Sequence, residues 1–244
     1  MALSSAPLKI AAPRSPDGAR HERSRAEAVA LPAAARRVLP RALRECALTR
    51  AGGFCVLPDL CGQASWKAMR AEALAHWRSA GRCERSDSME EWRGKGGAVR
   101  LATGKSGPAL QAFARSRRTL EMLALAVGRP VVPLRGSQGS YSYYERAGDG
   151  LGIHRDTLGC DIAVVTVLRD GSSPLTLSGA LVLYPTRWNE PLSAIRRRPL
   201  AGALTIKLAA GQSAVLCGGL VPHALLTVAR GQRRIVSTLC YTIT

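Results

Sequence analysis

Long hydrophobic runs are missing from this chain of 244 residues, and no stretch could span a bilayer. The N-terminus also lacks the positive-then-apolar layout of a secretory signal, and Asp17, Glu22 and Glu27 argue against a transit peptide. These absences predict a cytoplasmic protein with no membrane partner. Because 46% of the residues are hydrophobic, the length suffices for one domain with a full core, or one domain plus an extension.

Cysteine pairs at metal-binding or redox spacing are absent as well. The seven cysteines form no Cys-x-x-Cys motif, their number is odd, and several lie in apolar runs, as Cys217 does. We therefore predict reduced, buried thiols rather than disulfides or a zinc site.

Acidic and aromatic residues are both scarce. The chain carries 17 Asp and Glu against 35 Lys and Arg, so its formal net charge is +18. Such a charge attracts anions, among them nucleic acid and acidic small molecules. The arginines are scattered, however, and an aromatic content of 5% offers little surface for stacking bases. Nucleic acid is therefore an alternative partner that the sequence does not favour.

The domain organisation follows from the change in pattern along the chain. Residues 1–30 are rich in Ala, Pro, Ser and Arg and predict a flexible extension. Residues 31–244 predict a single domain, in which 31–130 supply helical support and a lid and 131–244 form the core.

Two helices stand out in the supporting region. Trp66, Met69 and Trp77 recur at helical spacing within residues 65–80. Residues 106–127 predict one longer helix, which begins at a Ser-Gly-Pro sequence and ends at Gly128. The polar stretch 81–105 between them predicts a long loop, which is either a lid or binding loop or a disordered excursion.

The C-terminal half contains short β-type runs separated by Gly, Pro and Asp, with no helical window between them. Many short strands with turn signals indicate a sandwich or a barrel, and eight in a row allow a double-sheet jelly roll. We therefore predict a mainly β, jelly-roll or cupin-like fold with bracing N-terminal helices. The eight strands are predicted at residues 141–146, 152–156, 160–168, 180–184, 203–208, 213–217, 221–228 and 233–242.

A metal site is predicted from three side chains. His154 and Asp156 form a His-x-Asp pair, and residues i and i+2 of a strand share a face. His223, in another predicted strand, is the best candidate for a second imidazole. Two histidines and one carboxylate on one face leave coordination positions open, which suits non-haem Fe(II).

An arginine follows this constellation. Arg233 lies ten residues after His223 on the last predicted strand, where it shares a face with Ile235 and Ser237. An arginine fork binds a carboxylate bidentately, and the hydroxyls of Ser237 and Tyr144 could add hydrogen bonds. Arg234 follows directly and would face outward in this register, although a slip of one residue would exchange the two arginines.

Together these residues resemble a known family. The pattern Tyr144-x-x-x-Gly-Asp-x-Leu-x-x-His154-x-Asp156, followed by Pro-His223 and Gly-x-Arg233, looks like that of the Fe(II)- and 2-oxoglutarate-dependent dioxygenases, in their prolyl-hydroxylase-like branch. The resemblance implies a double-stranded β-helix and Fe(II) held by the two histidines and the aspartate. It also implies that Arg233 binds the distal carboxylate of 2-oxoglutarate, with help from Ser237 and Tyr144, and that O2 is consumed.

The reaction implied is hydroxylation or desaturation of an unactivated C–H bond in a small, amino-acid-like or carboxylate-bearing substrate. Candidate substrate contacts are Trp92 in the loop 81–105 and Arg187 and Trp188 in the segment 186–198. The alternative for the second segment is a solvated basic loop. Three alternatives stay open: a dioxygenase that acts on a peptide, one that acts on nucleic acid, and a metal-binding jelly-roll protein without catalysis. A carboxylate anchor at Arg233 would have no purpose in the last of these.

Overall fold

The structure is a computed structural model that describes residues 41–85, 99–157, 159–173 and 175–244. The extension predicted for residues 1–30 lies outside these ranges. None of the helices within them is long and apolar enough to cross a membrane.

Within the described ranges, five helices precede the main run of strands and a sixth lies within that run. Their bounds are α1 Arg41–Glu45, α2 Ala47–Arg50, α3 Gly62–His76, α4 Pro108–Arg115, α5 Arg117–Val127 and α6 Leu192–Arg197, with 3-10 turns at Trp77–Ser79 and Pro185–Arg187.

Twelve strands, within the described ranges, form one continuous antiparallel sheet. Their bounds are β1 Phe54–Leu57, β2 Gly81–Arg85, β3 Val99–Lys105, β4 Val131–Pro133, β5 Ser140–Tyr144, β6 Gly150–His154, β7 Ile162–Asp170, β8 Leu181–Leu183, β9 Leu204–Ile206, β10 Ser213–Leu216, β11 His223–Leu225 and β12 Arg234–Ile243. All eight strands predicted in the C-terminal half are present.

The order of the strands gives the sheet two halves. It runs β1-β10-β7-β12-β5-β3-β6-β11-β8-β9, while β2 pairs with β3 and β4 with β12. Strand β3 joins the halves, because residues 102–105 pair with β5 and residues 99–100 pair with β6. The curled sheet is a jelly roll, as predicted.

The helices pack on the half of the sheet that contains β5, β7 and β12. Tyr143 of β5 donates from its hydroxyl to the carbonyl of Ala73 in α3 at 2.8 Å, and Tyr241 of β12 donates to the carbonyl of Ala114 in α4 at 3.1 Å. Each tyrosine hydroxyl buried in this layer therefore has an acceptor. The opposite face of the same strands lines the interior of the barrel.

The helix predicted at residues 106–127 is two helices. Ser116 is extended (φ −64°, ψ 139°), and its hydroxyl accepts a hydrogen bond from the Thr119 amide at 3.1 Å. It thus ends α4 and acts as N-cap of α5. Gly128 ends α5 with φ +75°, as its position in the sequence predicted.

Two segments predicted as loops contain regular structure. Within residues 81–105, β2 and β3 form an antiparallel pair, and residues 86–98 lie outside the described ranges. Within residues 186–198, the short helix α6 occupies the space beside β6. Both loop predictions were therefore wrong in part.

The cysteine prediction also needs a correction. Cys160 and Cys240 form a disulfide, although they are 80 residues apart in the sequence. Strand pairing places them together, because Cys240 lies opposite Ala163 at the start of β7. Of the other five thiols, Cys46, Cys61 and Cys217 are buried as predicted, whereas Cys83 is exposed.

Candidate metal centre

The predicted metal ligands lie on two neighbouring strands of one half of the sheet. His154 is the last residue of β6, Asp156 follows two residues later, and His223 is the first residue of β11. His154 and His223 are direct partners in the antiparallel ladder. Side chains of directly opposed residues project from the same face, so the pairing brings the two imidazoles together.

The three side chains converge closely enough to hold one ion. The Nε2 atoms of His154 and His223 lie 3.8 Å and 3.7 Å from Oδ1 of Asp156, and one ligand atom from each residue fits within 4.8 Å of the others. Ligand atoms about 2.1 Å from a common divalent ion lie roughly 3 to 3.5 Å apart. A small contraction therefore converts this arrangement into a coordination face.

Backbone carbonyls orient both imidazoles. Nδ1 of His154 lies 2.9 Å from the carbonyl oxygen of Gly152, and Nδ1 of His223 lies 2.9 Å from that of Val221. A carbonyl oxygen can only accept, so each Nδ1 carries the proton and donates it. The lone pair is then on Nε2, the nitrogen that faces Asp156, which is the arrangement that metal-ligating histidines require.

The surroundings keep His154 in the neutral form that binds metals. Burial and the neighbouring His223 lower the pKa of His154 to about 4, and Asp156 offsets part of that shift. Asp156 contributes its Oδ1 to the centre, while its Oδ2 is buried and, among the described residues, has no hydrogen-bond partner. Two neutral imidazoles that present Nε2 lone pairs and one carboxylate oxygen form a donor set that fits a divalent cation.

Arg155, between the two ligands, was not singled out by the sequence pattern. Its guanidinium donates to the carbonyl oxygens of Leu220, Trp188 and Glu190 at 3.2, 2.6 and 2.8 Å. These bonds tie the His-x-Asp segment to the chain that leads into β11 and to the segment after β8. Only the tertiary structure identifies such a role, because all three acceptors are main-chain atoms.

The two consecutive arginines have the opposite orientation to the one predicted. Arg234 is 2% exposed and lies opposite Tyr144 of β5 and Asp170 of β7, inside the barrel. The prediction that Arg234 faces outward was therefore wrong. The spacing from His223 to the arginines crosses the turn at residues 229–232, and the alternation of a strand does not continue through a turn.

Arg233 lies on the outer side of the molecule. Its guanidinium carbon is 4.8 Å from the centre of the Trp77 ring, in a cation–π contact. The side chain also lines a surface cavity together with Glu145 and Arg169. Arg233 is thus separated from the metal-binding face by the sheet itself.

Arg234 is part of a buried charge cluster. Its Nη1 lies 2.6 Å from Oδ2 of Asp170, and the same oxygen is 3.1 Å from Nζ of Lys207. Burial lowers the pKa of Arg234 and Asp170 raises it in turn, while burial raises the pKa of Tyr144 to about 12 and keeps its hydroxyl neutral. Two cations share one carboxylate, and Nε of Arg234 is buried without a partner among the described residues. The cluster can therefore accept one further carboxylate.

Ser237 faces the helix layer rather than the barrel interior. It lies opposite Tyr141 of β5 and Thr166 of β7. The Tyr141 hydroxyl reaches Glu72 of α3 at 2.5 Å, so this face of the strands points at the helices. Ser237 and Arg234 therefore lie on opposite faces of β12, and the structure does not bring them together.

Arg187, predicted to contact substrate, has no hydrogen-bond donor to spare. It is 5% exposed, and its five N–H groups make five hydrogen bonds. Two go to the carboxylate of Glu190 at 3.0 and 2.6 Å, and three go to the carbonyl oxygens of Ala194, Arg198 and Ala201. The side chain organises the segment between β8 and β9 and has no N–H group left for a substrate.

The two tryptophans predicted as substrate contacts differ in what the structure describes. Trp188 is 7% exposed and packs in the main hydrophobic core. Its surface is thus already covered by protein. Trp92 lies outside the described residues.

Comparison with known proteins identifies the fold. No family model and no curated protein matches the chain. Among solved structures, the chain is similar to SnoN, a non-haem alpha-ketoglutarate-dependent epimerase from nogalamycin biosynthesis, at 15% identity and a TM-score of 0.57, over 78% of this chain and 76% of that one.

Two further structures give the same result. HygX from Streptomyces hygroscopicus, solved with nickel and 2-oxoglutarate bound, has 15% identity and a TM-score of 0.56, over 79% of this chain and 83% of that one. An oxidoreductase of the 2OG-Fe(II) oxygenase family from Burkholderia pseudomallei has 15% identity and a TM-score of 0.56, over 80% and 88%. This chain therefore has the jelly-roll fold of the 2OG-Fe(II) oxygenases and carries two histidines and an aspartate on one face of its barrel.

Proposed function

We propose that this protein is an Fe(II)- and 2-oxoglutarate-dependent oxygenase that hydroxylates or desaturates a small molecule. The observation that carries the proposal is that one barrel contains both a two-histidine, one-carboxylate face and a buried arginine whose Nε has no partner in the described part of the chain. A metal-binding protein without catalysis would have no use for the second feature.

The proposal assigns a role to each of these side chains. His154, Asp156 and His223 hold the ion through Nε2, Oδ1 and Nε2. Arg234, rather than Arg233, receives the distal carboxylate of 2-oxoglutarate, and the neutral Tyr144 hydroxyl lies beside it. With both groups bound, iron and 2-oxoglutarate supply the oxidising power, which is drawn from O2.

The two features lie near different ends of one strand. Strand β6 runs from Gly150 to His154, which is about 13 Å at about 3.3 Å per residue. Val228 bonds to Asp149 beside Gly150, and both Val228 and Arg234 lie against Gly179. Arg234 thus lies near the Gly150 end of β6, whereas His154 is at the other end.

A small-molecule substrate is supported by the similarity to SnoN, an epimerase from nogalamycin biosynthesis. The prolyl-hydroxylase-like branch indicated by the sequence stays a prediction. Because Arg187 and Trp188 are already occupied by protein contacts, we expect substrate contacts on other segments around the metal-binding end.

Anaerobic titration tests the proposal. We expect the purified protein to develop a weak visible absorption band when Fe(II) and 2-oxoglutarate are added together. His223→Ala removes one ligand and should abolish the band. His76→Ala is the matched control, because His76 lies outside the metal-binding face and bonds to the carbonyl of Lys105. A folded wild-type protein without the band, or an undiminished band in His223→Ala, would contradict the proposed function.

A further inference from the structure

We propose that Gly218 is a positioning residue for the metal-binding carboxylate, because its missing side chain is the space that Oδ2 of Asp156 occupies. The inference rests on the proposed metal centre and explains how Asp156 presents one oxygen to it. Gly218 follows β10 and is far from Asp156 in the sequence, so nothing in the His-x-Asp pattern points to it.

The fit between Gly218 and Asp156 is close. A Cβ added to Gly218 would lie 1.8 Å from Oδ2 of Asp156 and 2.8 Å from Cβ of Ala163. Cβ atoms essentially never approach another heavy atom to less than 3.0 Å. Any side chain at position 218 therefore excludes the carboxylate from its present position.

The backbone around Gly218 is held and cannot withdraw easily. The Asp156 amide donates to the carbonyl oxygen of Gly218 at 2.9 Å. On either side, the Cys217 amide donates to Gly53 at 2.8 Å and the Gly219 amide donates to Cys160 at 3.1 Å. The group free to move is the end of the Asp156 side chain, so a substitution should rotate the carboxylate rather than open the backbone.

Backbone conformation does not require glycine here. Gly218 is not among the glycines with positive φ, so alanine can adopt its backbone angles. The requirement for glycine is thus one of space and not of a turn: Oδ2 of Asp156 at 1.8 Å leaves the least room for a side chain, and Cβ of Ala163 at 2.8 Å limits it as well.

The consequence for the metal centre is coordination through one oxygen. Oδ1 of Asp156 faces both histidines at 3.8 and 3.7 Å, whereas Oδ2 is buried against Gly218 on the other side. A carboxylate held in this way occupies one coordination position and leaves three positions of an octahedral ion open. Those positions are what a chelating cosubstrate and O2 need.

The test measures metal binding, not turnover, with Co(II) as the probe. Gly218→Ala should keep the far-UV circular dichroism of the wild type but bind Co(II) about 10 to 100 times more weakly, as expected when the support of a ligand is removed. Gly81→Ala is the matched control, because a Cβ at Gly81 meets no atom within 4 Å. Its Co(II) affinity should equal that of the wild type.

The outcomes separate the two proposals. A folded wild-type protein that does not bind Co(II) overturns the metal centre itself. A wild-type protein that binds, together with a Gly218→Ala variant whose affinity is within about twofold of it, overturns only the role of Gly218.

A second measurement covers the case in which Gly218→Ala is poorly folded. The loss of stability caused by Gly218→Ala should be smaller in an Asp156→Ala background, because the clash with Oδ2 is then gone. An equal loss in both backgrounds, measured by denaturant unfolding without metal, would show that the carboxylate is not what Gly218 accommodates.

Discussion

At the scale of single residues, Arg233 and Arg234 are adjacent in the chain but lie in different environments. Arg234 is enclosed with Asp170 and Lys207, so its charge acts in a low-dielectric interior. Arg233 rests on Trp77 and remains exposed to solvent. A buried cation with a free hydrogen-bonding edge selects a carboxylate, whereas an exposed one is screened by water and salt.

We predict that Arg234→Gln weakens 2-oxoglutarate binding to the Fe(II)-loaded protein by about 10- to 100-fold. A charge-assisted hydrogen bond contributes about 1.5–3 kcal/mol, and each 1.4 kcal/mol is about tenfold in affinity. Arg233→Gln should change the affinity by about twofold or less. Anaerobic titration with 2-oxoglutarate, followed by the visible band, gives both dissociation constants. A larger loss of 2-oxoglutarate affinity in Arg233→Gln than in Arg234→Gln would show that Arg233, not Arg234, binds the carboxylate.

At the same scale, Arg187 shows why a charged side chain near a predicted site need not bind substrate. All five of its donors are used, two of them in a paired contact with Glu190. The group is buried because the protein itself supplies every partner that water would have supplied. A run of arginines in the sequence carries no information about which members are satisfied internally.

At the scale of elements, one carboxylate connects the helix layer to the barrel. Glu72 of α3 accepts hydrogen bonds from the amides of Gly107, Ala109 and Leu110 at the start of α4, at 3.0, 2.6 and 3.2 Å. It also accepts from the Tyr141 hydroxyl of β5. A negative charge at a helix N-terminus satisfies free amides and interacts favourably with the helix dipole.

We predict that Glu72→Gln lowers the free energy of unfolding by about 2 kcal/mol at pH 7, because a charged acceptor is lost from four hydrogen bonds. Burial raises the pKa of Glu72, but the bonds from Tyr141 and the α4 amides lower it by more. Because the pKa of Glu72 is lower in the folded state, its stabilising contribution is fully present above the pKa of the unfolded state, about 4.3. The contribution is lost as the pH falls through the pKa of the folded state.

Denaturant unfolding at pH 7 and pH 3 checks the direction of this pH dependence. The difference in free energy of unfolding between wild type and Glu72→Gln should be largest at pH 7 and smaller at pH 3. Glu121→Gln is the control, since Glu121 forms an exposed pair with Arg117 and should matter by about 0.5 kcal/mol or less. A difference that is the same at both pH values would show that the charge of Glu72 is not responsible.

At the scale of the whole molecule, the Cys160–Cys240 disulfide ties the entry of β7 to the last strand. These two strands also pair along almost their whole length, from Tyr241 to Arg234. A cross-link that closes a loop of this size restricts the unfolded chain strongly, while the native strands need no rearrangement to accommodate it.

We predict that removing this disulfide lowers stability by about 2–4 kcal/mol and the thermal midpoint by about 5 to 15 °C. The Cys160→Ser/Cys240→Ser protein is compared with Cys83→Ser, which changes an exposed free thiol and should leave the midpoint unchanged. Thiol counting after denaturation gives the direct check: five thiols should react before reduction and seven after it. Seven reactive thiols without reductant would contradict the cross-link.

Much of the fold could be predicted because its signals are local. Each of the eight C-terminal strands is a short apolar run between turn residues, and a period-2 pattern already specifies which side chains share a face. His154 and Asp156 are two residues apart, so their convergence needed only an extended backbone. The break at Ser116 was missed because an apolar stripe continues across it. Strand β2 lacks an apolar pattern, and β3 offers only the short alternation Val99-Arg100-Leu101 within a polar stretch.

The remaining features depend on contacts between segments that are distant in the chain. Strand pairing decides which of two adjacent arginines enters the barrel, which cysteines meet and which glycine makes room for Asp156. Alternation along a strand is a property of the covalent backbone and can be counted from the residues alone. The strands and loops that pack around a residue decide the rest. They set which face a side chain takes after a turn, whether a buried charge has partners and how much space lies beside a ligand, and their packing exists only in the folded molecule.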